Sequence, residues 1–225
     1  MKKIQLLILS ILFISFQSCS KDETIEDIDP STGQEYKVSF NLSWSSADFP
    51  TDYPSNPHFS KLIGITHNND GSIHSVGQMA SPGIKLMAET GGTTTLSEEI
   101  RDIIDAGNGH DLILGSGLSS GTGTIEVNIK VTKDFPLVSL TTMIAPSPDW
   151  YVGIDSVSML EDGEFIEELT IEMKAYDAGT DSGTTFTSAN SPTNPQENIS
   201  YIITAPLGNG TALVASIGSI VFEKL

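Results

Sequence analysis

Residues 143–155 read Met143-Ile-Ala-Pro-Ser-Pro-Asp-Trp-Tyr-Val-Gly-Ile-Asp155, and the rest of the chain is best understood from this stretch. Strand-like apolar runs lie on either side of a polar corner. Within the corner, Pro146 and Pro148 each fix the backbone φ angle next to Ser147. The pattern therefore predicts two strands joined by a stiff loop that holds Asp149 in a defined position.

A second polar loop, Asp177-Ala-Gly-Thr-Asp-Ser-Gly183, follows further along the chain. Its two aspartates alternate with two glycines, which suits a tight loop whose backbone can curl around a bound group. Three carboxylates brought together raise one another's pKa, and a cation with oxygen ligands relieves that repulsion. Calcium tolerates irregular loops better than magnesium does. The residues thus suggest a calcium site at Asp149, Asp177 and Asp181. Three separate turn aspartates, each bonded to its own backbone, remain the alternative.

Both loops resemble the signature blocks of the spondin domain family. Three more stretches agree in order with that family: His58-Phe-Ser-Lys-Leu-Ile-Gly-Ile-Thr-His67, Met87-Ala-Glu-Thr-Gly91 and Ser191-Pro-Thr-Asn-Pro-Gln196. The resemblance covers about residues 36–205. It implies an eight-stranded antiparallel β-sandwich related to calcium-dependent lipid-binding modules.

The resemblance also implies a set of calcium ligands at one end of the sandwich. Asp149, Asp177 and Asp181 occupy the positions of the family's three ligand aspartates. Glu89 lies in an Ala-Glu-x-Gly corner that the family places near the metal, although it reads equally well as an exposed residue in the last turn of a helix. Trp150 could be a recognition aromatic, but a side chain packed beneath the site is the favoured role. Vertebrate members carry disulfides, whereas this chain has a single cysteine.

The remaining pattern is mostly that of strands joined by short turns. The run Tyr36-Lys-Val-Ser-Phe-Asn-Leu-Ser-Trp44 alternates apolar and polar residues, as does 123–131. Two segments carry helix signals instead: Ser81 is a candidate N-cap before a proline, and Thr95 with Glu98 has the spacing of a capping box. These patterns predict an all-β fold, a single antiparallel β-sandwich of about eight strands with one or two short helices in the connections.

The beginning of the chain is patterned for export. Residues 1–18 combine two lysines with an apolar run too short to span a bilayer comfortably, which predicts a signal peptide. Cys19 follows a small residue and resembles the cysteine of a bacterial lipobox. This resemblance implies that Cys19 is the lipidated mature N-terminus, with palmitate among its acyl chains. An ordinary secretory signal with an incidental cysteine is the alternative.

The predicted domain organisation continues from the cysteine. Residues 19–35 are rich in acids and predict a flexible tether, and residues 36–225 are predicted to form the spondin-like β-sandwich domain. Lys21-Asp-Glu23 resembles the surface-export signal of Bacteroidetes lipoproteins. We therefore expect a lipid-anchored protein of the outer membrane that faces outward from the cell.

The net charge of the chain limits the kinds of molecule that it is expected to bind. The chain has 11 Lys and Arg residues against 29 Asp and Glu residues, for a formal net charge of −18. That balance argues against nucleic acid and against electrostatic docking on anionic lipid. The expected partners are calcium, the membrane through lipidated Cys19, and an extracellular protein or glycan.

These observations predict a surface-anchored, calcium-binding recognition or adhesion module that is not an enzyme. The alternatives are an accessory structural subunit of an outer-membrane assembly, and a carboxylate- or metal-dependent hydrolase. Gly117-Leu-Ser-Ser-Gly121 matches the G-x-S-x-G nucleophile pattern, but a nucleophile elbow requires a helix to follow. Because the next segment has the alternation of a strand, a hairpin connection is favoured.

Overall fold

The structure, a computed structural model, describes residues 33–225, so the predicted signal peptide, Cys19 and most of the predicted tether lie outside it. The described helices are α1 (Pro82–Thr90) and α2 (Thr94–Asp105). The described strands are β1 (Gln34–Ser43), β2 (His58–Phe59), β3 (Ile63–His67), β4 (Gly109–Leu114), β5 (Thr122–Val131), β6 (Leu137–Ala145), β7 (Trp150–Ser158), β8 (Leu160–Glu161), β9 (Glu164–Phe165), β10 (Glu168–Glu172), β11 (Lys174–Asp177), β12 (Ser200–Tyr201) and β13 (Gly218–Lys224).

The strands form two main sheets. A four-stranded sheet has the order β10-β13-β1-β5, and a seven-stranded sheet has the order β12-β11-β7-β6-β3-β4, with β2 paired to β6. The short strands β8 and β9 form a separate hairpin, whose turn places Asp162 and Gly163 at positive φ. Pairing between the strands is antiparallel. The predicted all-β antiparallel sandwich is confirmed.

Strand β1 forms the centre of the smaller sheet because its alternating apolar residues all face one way. Its residue Val38 pairs with Phe222 of β13 on one side and with Val127 of β5 on the other. The side chains of Tyr36, Val38 and Phe40 are completely buried. They pack in the main core, which also includes side chains from β6 and β7 of the larger sheet.

The larger sheet is covered on its second face as well. Strands β3 and β6 are buried along almost their whole length, so that polar residues on them, such as Thr66 and Thr141, do not mark a solvent-exposed face. A second core joins Ile63 and Ile65 of β3 to Met87 of α1 and Ile100 of α2. The two helices therefore form a covering layer, a larger role than the connecting segments that the sequence predicted.

The helix ends correct one sequence prediction. Ser81 caps α1 as expected, since its Oγ accepts a hydrogen bond from the Ile84 amide at 3.1 Å. The predicted capping box of α2 is wrong: the helix starts two residues earlier than an N-cap at Thr95 would place it, and its N-cap, Thr93, makes no side-chain capping bond. The next acidic residue, Glu99, instead accepts from the Gly83 amide at 2.7 Å and from the Ser81 hydroxyl at 2.6 Å. An acid of α2 thus caps α1.

Candidate metal centre

The polar corner that the sequence singled out joins β6 to β7. Its stiffness comes from Pro146 and Pro148 and from Ser147, whose Oγ accepts a hydrogen bond from the Trp150 amide at 3.1 Å. Asp149 lies just before β7 and its side chain is completely inaccessible to solvent. The corner therefore buries a carboxylate at the end of the larger sheet.

The Asp149 carboxylate bridges the two polar loops. Its Oδ2 accepts hydrogen bonds from the amides of Thr180 and Asp181, at 2.7 and 3.0 Å, and from the Thr180 hydroxyl at 3.3 Å. Its Oδ1 is also buried, and it has no hydrogen-bond partner within residues 33–225. One oxygen is therefore saturated while the other is a buried acceptor without a donor, which is an unfavourable arrangement unless another group binds there.

The surroundings make Asp149 a weaker acid than usual. Burial, and then the nearby charge of Asp177, raise its pKa from 3.8 to about 6, against the opposing effect of the hydrogen bonds from Thr180 and Asp181. Ionising this carboxyl without compensation is therefore costly, and a cation next to Oδ1 would favour the ionised form.

Asp177 is the last residue of β11 and pairs with Trp150 across the sheet. Its Oδ1 accepts a hydrogen bond from the Gly179 amide at 2.8 Å. Burial raises its pKa, with smaller contributions from the charges of Glu197 and Asp181; the Gly179 amide and the Trp150 indole act in the opposite direction. The buried Asp149 and the half-buried Asp177 therefore lie close enough for the charge of Asp177 to raise the pKa of Asp149.

Asp181 is tied into its own loop. Its Oδ1 accepts from the Gly183 amide at 2.7 Å, and its Oδ2 accepts from the Ser191 amide at 2.8 Å. The bonds from Asp177 to Gly179 and from Asp181 to Gly183 both span two residues, as in turn aspartates. The turn alternative thus describes part of the bonding of these two residues, whereas Asp149 bonds across to the other loop.

Glu89 lies in the last turn of α1, where it forms an ion pair with Lys85, four residues earlier. No hydrogen bond or ion pair within the described part of the chain joins Glu89 to Asp149, Asp177 or Asp181. Its assignment as a metal ligand stays a prediction that rests on the family resemblance.

A cavity of about 570 Å³ opens beside the aspartates, and Trp150, Asp177, Asp181, Glu197 and Tyr201 are among the residues that line it. Sequence reasoning missed Glu197 and Tyr201. Glu197 directly follows Gln196, the last residue of a stretch that resembles the family, and this position could have marked it as a candidate.

Trp150 itself is only 4% exposed. Its ring meets Phe186 edge-on at 5.3 Å, and Phe186 lies 5.0 Å from Trp44, which in turn contacts Phe59 at 5.8 Å between ring centroids. These four rings form an aromatic row beneath the loops at this end of the sandwich. The packed role expected for Trp150 is confirmed.

The side chains at this end of the sandwich meet part of the requirements of a cation with oxygen ligands. Across residues 33–225, no group of three or more His, Cys, Asp or Glu side chains is arranged to hold a metal ion. Two features nevertheless fit calcium: the unpartnered buried Oδ1 of Asp149 and the proximity of the Asp177 charge, which supply hard anionic oxygen. The pair of Asp149 and Asp177 fits a cation, and further ligands would have to come from other oxygens.

A second carboxylate, half-buried, lies further along β7. Asp155 accepts hydrogen bonds from the hydroxyls of Ser72, Ser75 and Ser156 at 2.8, 2.7 and 2.7 Å. Burial tends to raise its pKa, but these hydrogen bonds outweigh burial and lower it. His74 is buried nearby, and desolvation lowers the pKa of its imidazole. Hydroxyl donors therefore stabilise this carboxylate as an anion, in contrast to Asp149.

Comparison with known proteins settles the family. A family model described as Spondin_N matches residues 34–211, from the first residue of β1 to a point short of β13. The chain belongs to the Spondin_N family.

Three relatives illustrate how far this Spondin_N chain resembles animal proteins. It is 35% identical to human spondin-2 over 172 residues, which is 75% of this chain and 52% of spondin-2. The rat spondin-2 match is also 35% identical, over 171 residues, or 74% of this chain and 52% of the relative. Chicken spondin-1 is 32% identical over 175 residues, or 73% of this chain and 21% of that protein. The chain thus spans about half the length of spondin-2 and about a fifth of spondin-1.

Two further observations bear on other function classes. The G-x-S-x-G match at residues 117–121 is followed by strand β5, so the helix that a nucleophile elbow requires does not follow it. Among residues 33–225, no helix has both the length and the apolar composition needed to cross a membrane.

Proposed function

We propose that this Spondin_N chain is an extracellular recognition domain whose binding end is organised by calcium. The observation that carries the proposal is Oδ1 of Asp149, a completely buried carboxylate oxygen without a hydrogen-bond donor in the described chain. A buried oxygen without a donor destabilises the folded protein, whereas the same oxygen is a good ligand for a hard cation.

The chain's own residues prepare Asp149 for this role. The amides of Thr180 and Asp181 hold Oδ2, which fixes the orientation of the carboxylate and leaves Oδ1 for the metal. Asp177 contributes the second negative charge. Calcium would supply the positive charge that lets both acids stay ionised while buried, and it would hold the loops at residues 146–149 and 177–183 together.

Recognition is proposed for the surface beside these loops. The cavity of about 570 Å³ next to Asp177 and Asp181 includes Tyr201, which is 50% exposed at the edge strand β12. Exposed tyrosine at the rim of a cavity is a common feature of binding surfaces. An extracellular protein or glycan is the proposed ligand, consistent with the family and with the net charge of −18.

We further propose that the domain is displayed on a membrane through lipidated Cys19, behind a signal peptide at residues 1–18. Support comes from the sequence pattern alone, since these residues precede the described part of the chain. Two or three acyl chains would hold such a protein stably on a membrane, where one would not.

The test is the effect of calcium on the melting temperature of the whole protein in nonionic detergent after thorough chelation. A ligand at a hundredfold excess over its dissociation constant stabilises the folded state by about 2.7 kcal/mol. For a chain of this size, that corresponds to a rise of roughly 5–10 °C. Asp177→Asn should abolish the rise, whereas Asp134→Asn, at an exposed position outside the loops, should keep it. Absence of any rise in the unmodified protein would refute the calcium proposal.

A further inference from the structure

A second cavity, of about 760 Å³, lies between the segment before β3 and the loop that joins β4 to β5. The residues that line it include Ser55, Asn56, His58, Lys61, Ser119 and Ser120. We call it the Lys61 cavity. It borders the same end of the sandwich as the aspartate loops, because His58 pairs with Ala145, the residue before the polar corner.

The charge of this cavity is opposite to that of the rest of the molecule. The chain has 29 acidic residues, yet no aspartate or glutamate is among the residues that line the cavity. Lys61 is exposed, and its ammonium group makes no ion pair or hydrogen bond within residues 33–225. Three serines and an asparagine around it can donate hydrogen bonds, while Pro57, Phe59 and Leu118 supply an apolar part of the wall.

Backbone hydrogen bonds to strand β2 hold the wall of the cavity in place. Phe59 and Leu118 exchange amide-to-carbonyl hydrogen bonds at 2.8 and 3.1 Å. Gly117 lies so close to this strand that a Cβ atom there would come within 2.9 Å of the Phe59 carbonyl oxygen. The next two amides, those of Ser119 and Ser120, have no acceptor in the described chain. The loop that carries these two amides therefore lines the same cavity as Lys61, whose ammonium group is unpaired in the described chain.

We propose that the Lys61 cavity binds an oxyanion, meaning a carboxylate, sulfate or phosphate group of a ligand. Lys61 would provide the charge, and the amides of Ser119 and Ser120 would donate hydrogen bonds, as successive backbone amides do in other anion sites. The Ser119 hydroxyl makes no hydrogen bond within residues 33–225 and adds a third type of donor. The pentapeptide that resembles a nucleophile elbow thereby acquires a binding role that needs no catalysis. This site is independent of the metal centre.

The experiment is equilibrium dialysis of radiolabelled sulfate against the whole protein in nonionic detergent, with calcium removed beforehand on an insoluble chelating resin. Uptake should saturate, and acetate or phosphate should displace the label, while sodium chloride at the same ionic strength should not. Stronger displacement by acetate would assign the site to carboxylates, and stronger displacement by phosphate would assign it to tetrahedral anions.

Lys61→Gln should weaken sulfate binding by about fivefold, the scale of one lost charge contact at a partly exposed position. Lys174→Gln is the matched control, since Lys174 is also exposed and unpaired in the described chain but lines a different cavity. In amide NMR spectra, the signals of Ser119 and Ser120 should shift with the same affinity. Uptake that does not saturate, displacement by chloride, or unchanged binding by Lys61→Gln would each overturn the proposal.

Discussion

Replacing Asp149 with asparagine should change how stability depends on pH in the absence of metal. The pKa of this carboxyl is about 6 in the folded protein and 3.8 in an unperturbed chain, so the folded state binds the proton more tightly. The stability that the proton contributes is therefore complete below about pH 4 and is lost as the pH rises through about 6. Asparagine keeps an oxygen for the Thr180 and Asp181 amides but cannot ionise.

The size of the effect follows from the displacement of the pKa. A displacement from 3.8 to about 6 corresponds to roughly 3 kcal/mol, at about 1.4 kcal/mol for each tenfold change in acidity. Metal-free unmodified protein should lose about this much stability from this group between about pH 4 and pH 7. The asparagine variant should lack this component. Above pH 6, saturating calcium should restore stability to the unmodified protein and not to the variant.

The assay is urea unfolding of the unmodified protein and of Asp149→Asn at several pH values from about 4 to 8, with and without calcium. Asp134→Asn serves as the control because it removes an acid from an exposed position. Its pH profile should follow that of the unmodified protein. If the Asp149→Asn profile does so as well, the buried carboxylate does not titrate as described, and the reasoning that leads from it to calcium fails.

Three further changes test other parts of the molecule. Gly179→Ala should destabilise the protein by about 1–3 kcal/mol or more in urea unfolding, because φ is +71° and the new Cβ would lie 2.4 Å from the Glu197 carbonyl oxygen. Gly163→Ala is the control, since Gly163 has φ +82° but lies in open space, and it should destabilise the protein less. Equal losses of stability in the two variants would contradict the predicted clash. The stability that neutral His74 contributes should be lost as the pH drops below 6.5, opposite in direction to the contribution of Asp149, because burial lowers the pKa of His74 and the unfolded chain takes up the proton first; a His74→Gln variant whose pH profile matches that of the unmodified protein would disprove this cause. Cys19→Ser should abolish incorporation of radiolabelled palmitate in cells, and retained label would exclude lipidation there.

The all-β fold class and most strand positions could be predicted, because apolar and polar residues alternate along a strand that buries only one face. β1 and β5 show this clearly, since their polar and apolar residues alternate along a sheet with one face on the core. The sandwich also contains strands that are buried on both faces, such as β3 and β6. Because polar residues such as Thr66 and Thr141 are buried on these strands, their pattern did not indicate that the helices cover this sheet.

Strand ends were harder to predict where the chain changes sheets. Polar and apolar residues alternate in 165–173 as they would in one strand, yet the chain pairs as β9, breaks, and then pairs again as β10 in the four-stranded sheet. Likewise, the apolar run from Ala212 to Phe222 is a strand only from Gly218 onward. In both cases the composition suits a strand, but the available pairing partners determine where pairing starts.

The sequence could indicate which aspartates belong to the candidate site, but it could not indicate which groups those aspartates accept hydrogen bonds from. The spacing of Asp177 and Asp181 pointed to turn-like loops, which the bonds to Gly179 and Gly183 confirm. Nothing local in the sequence indicates that Asp149 accepts from amides 31 and 32 residues away. That contact depends on the pairing of β7 with β11, a property of the whole sheet.

The position of β13 has a consequence for the order of folding. It lies between β1 and β10 in the four-stranded sheet, and its pairing of Val38 with Phe222 joins residues at opposite ends of the domain. The smaller sheet therefore cannot be completed until residues 218–224 have left the ribosome. Such long-range pairing is slow because a large loop must close, at an entropic cost, before any stabilising contact forms. In a chain with this topology, the four-stranded sheet therefore forms only after the last strand has been synthesised.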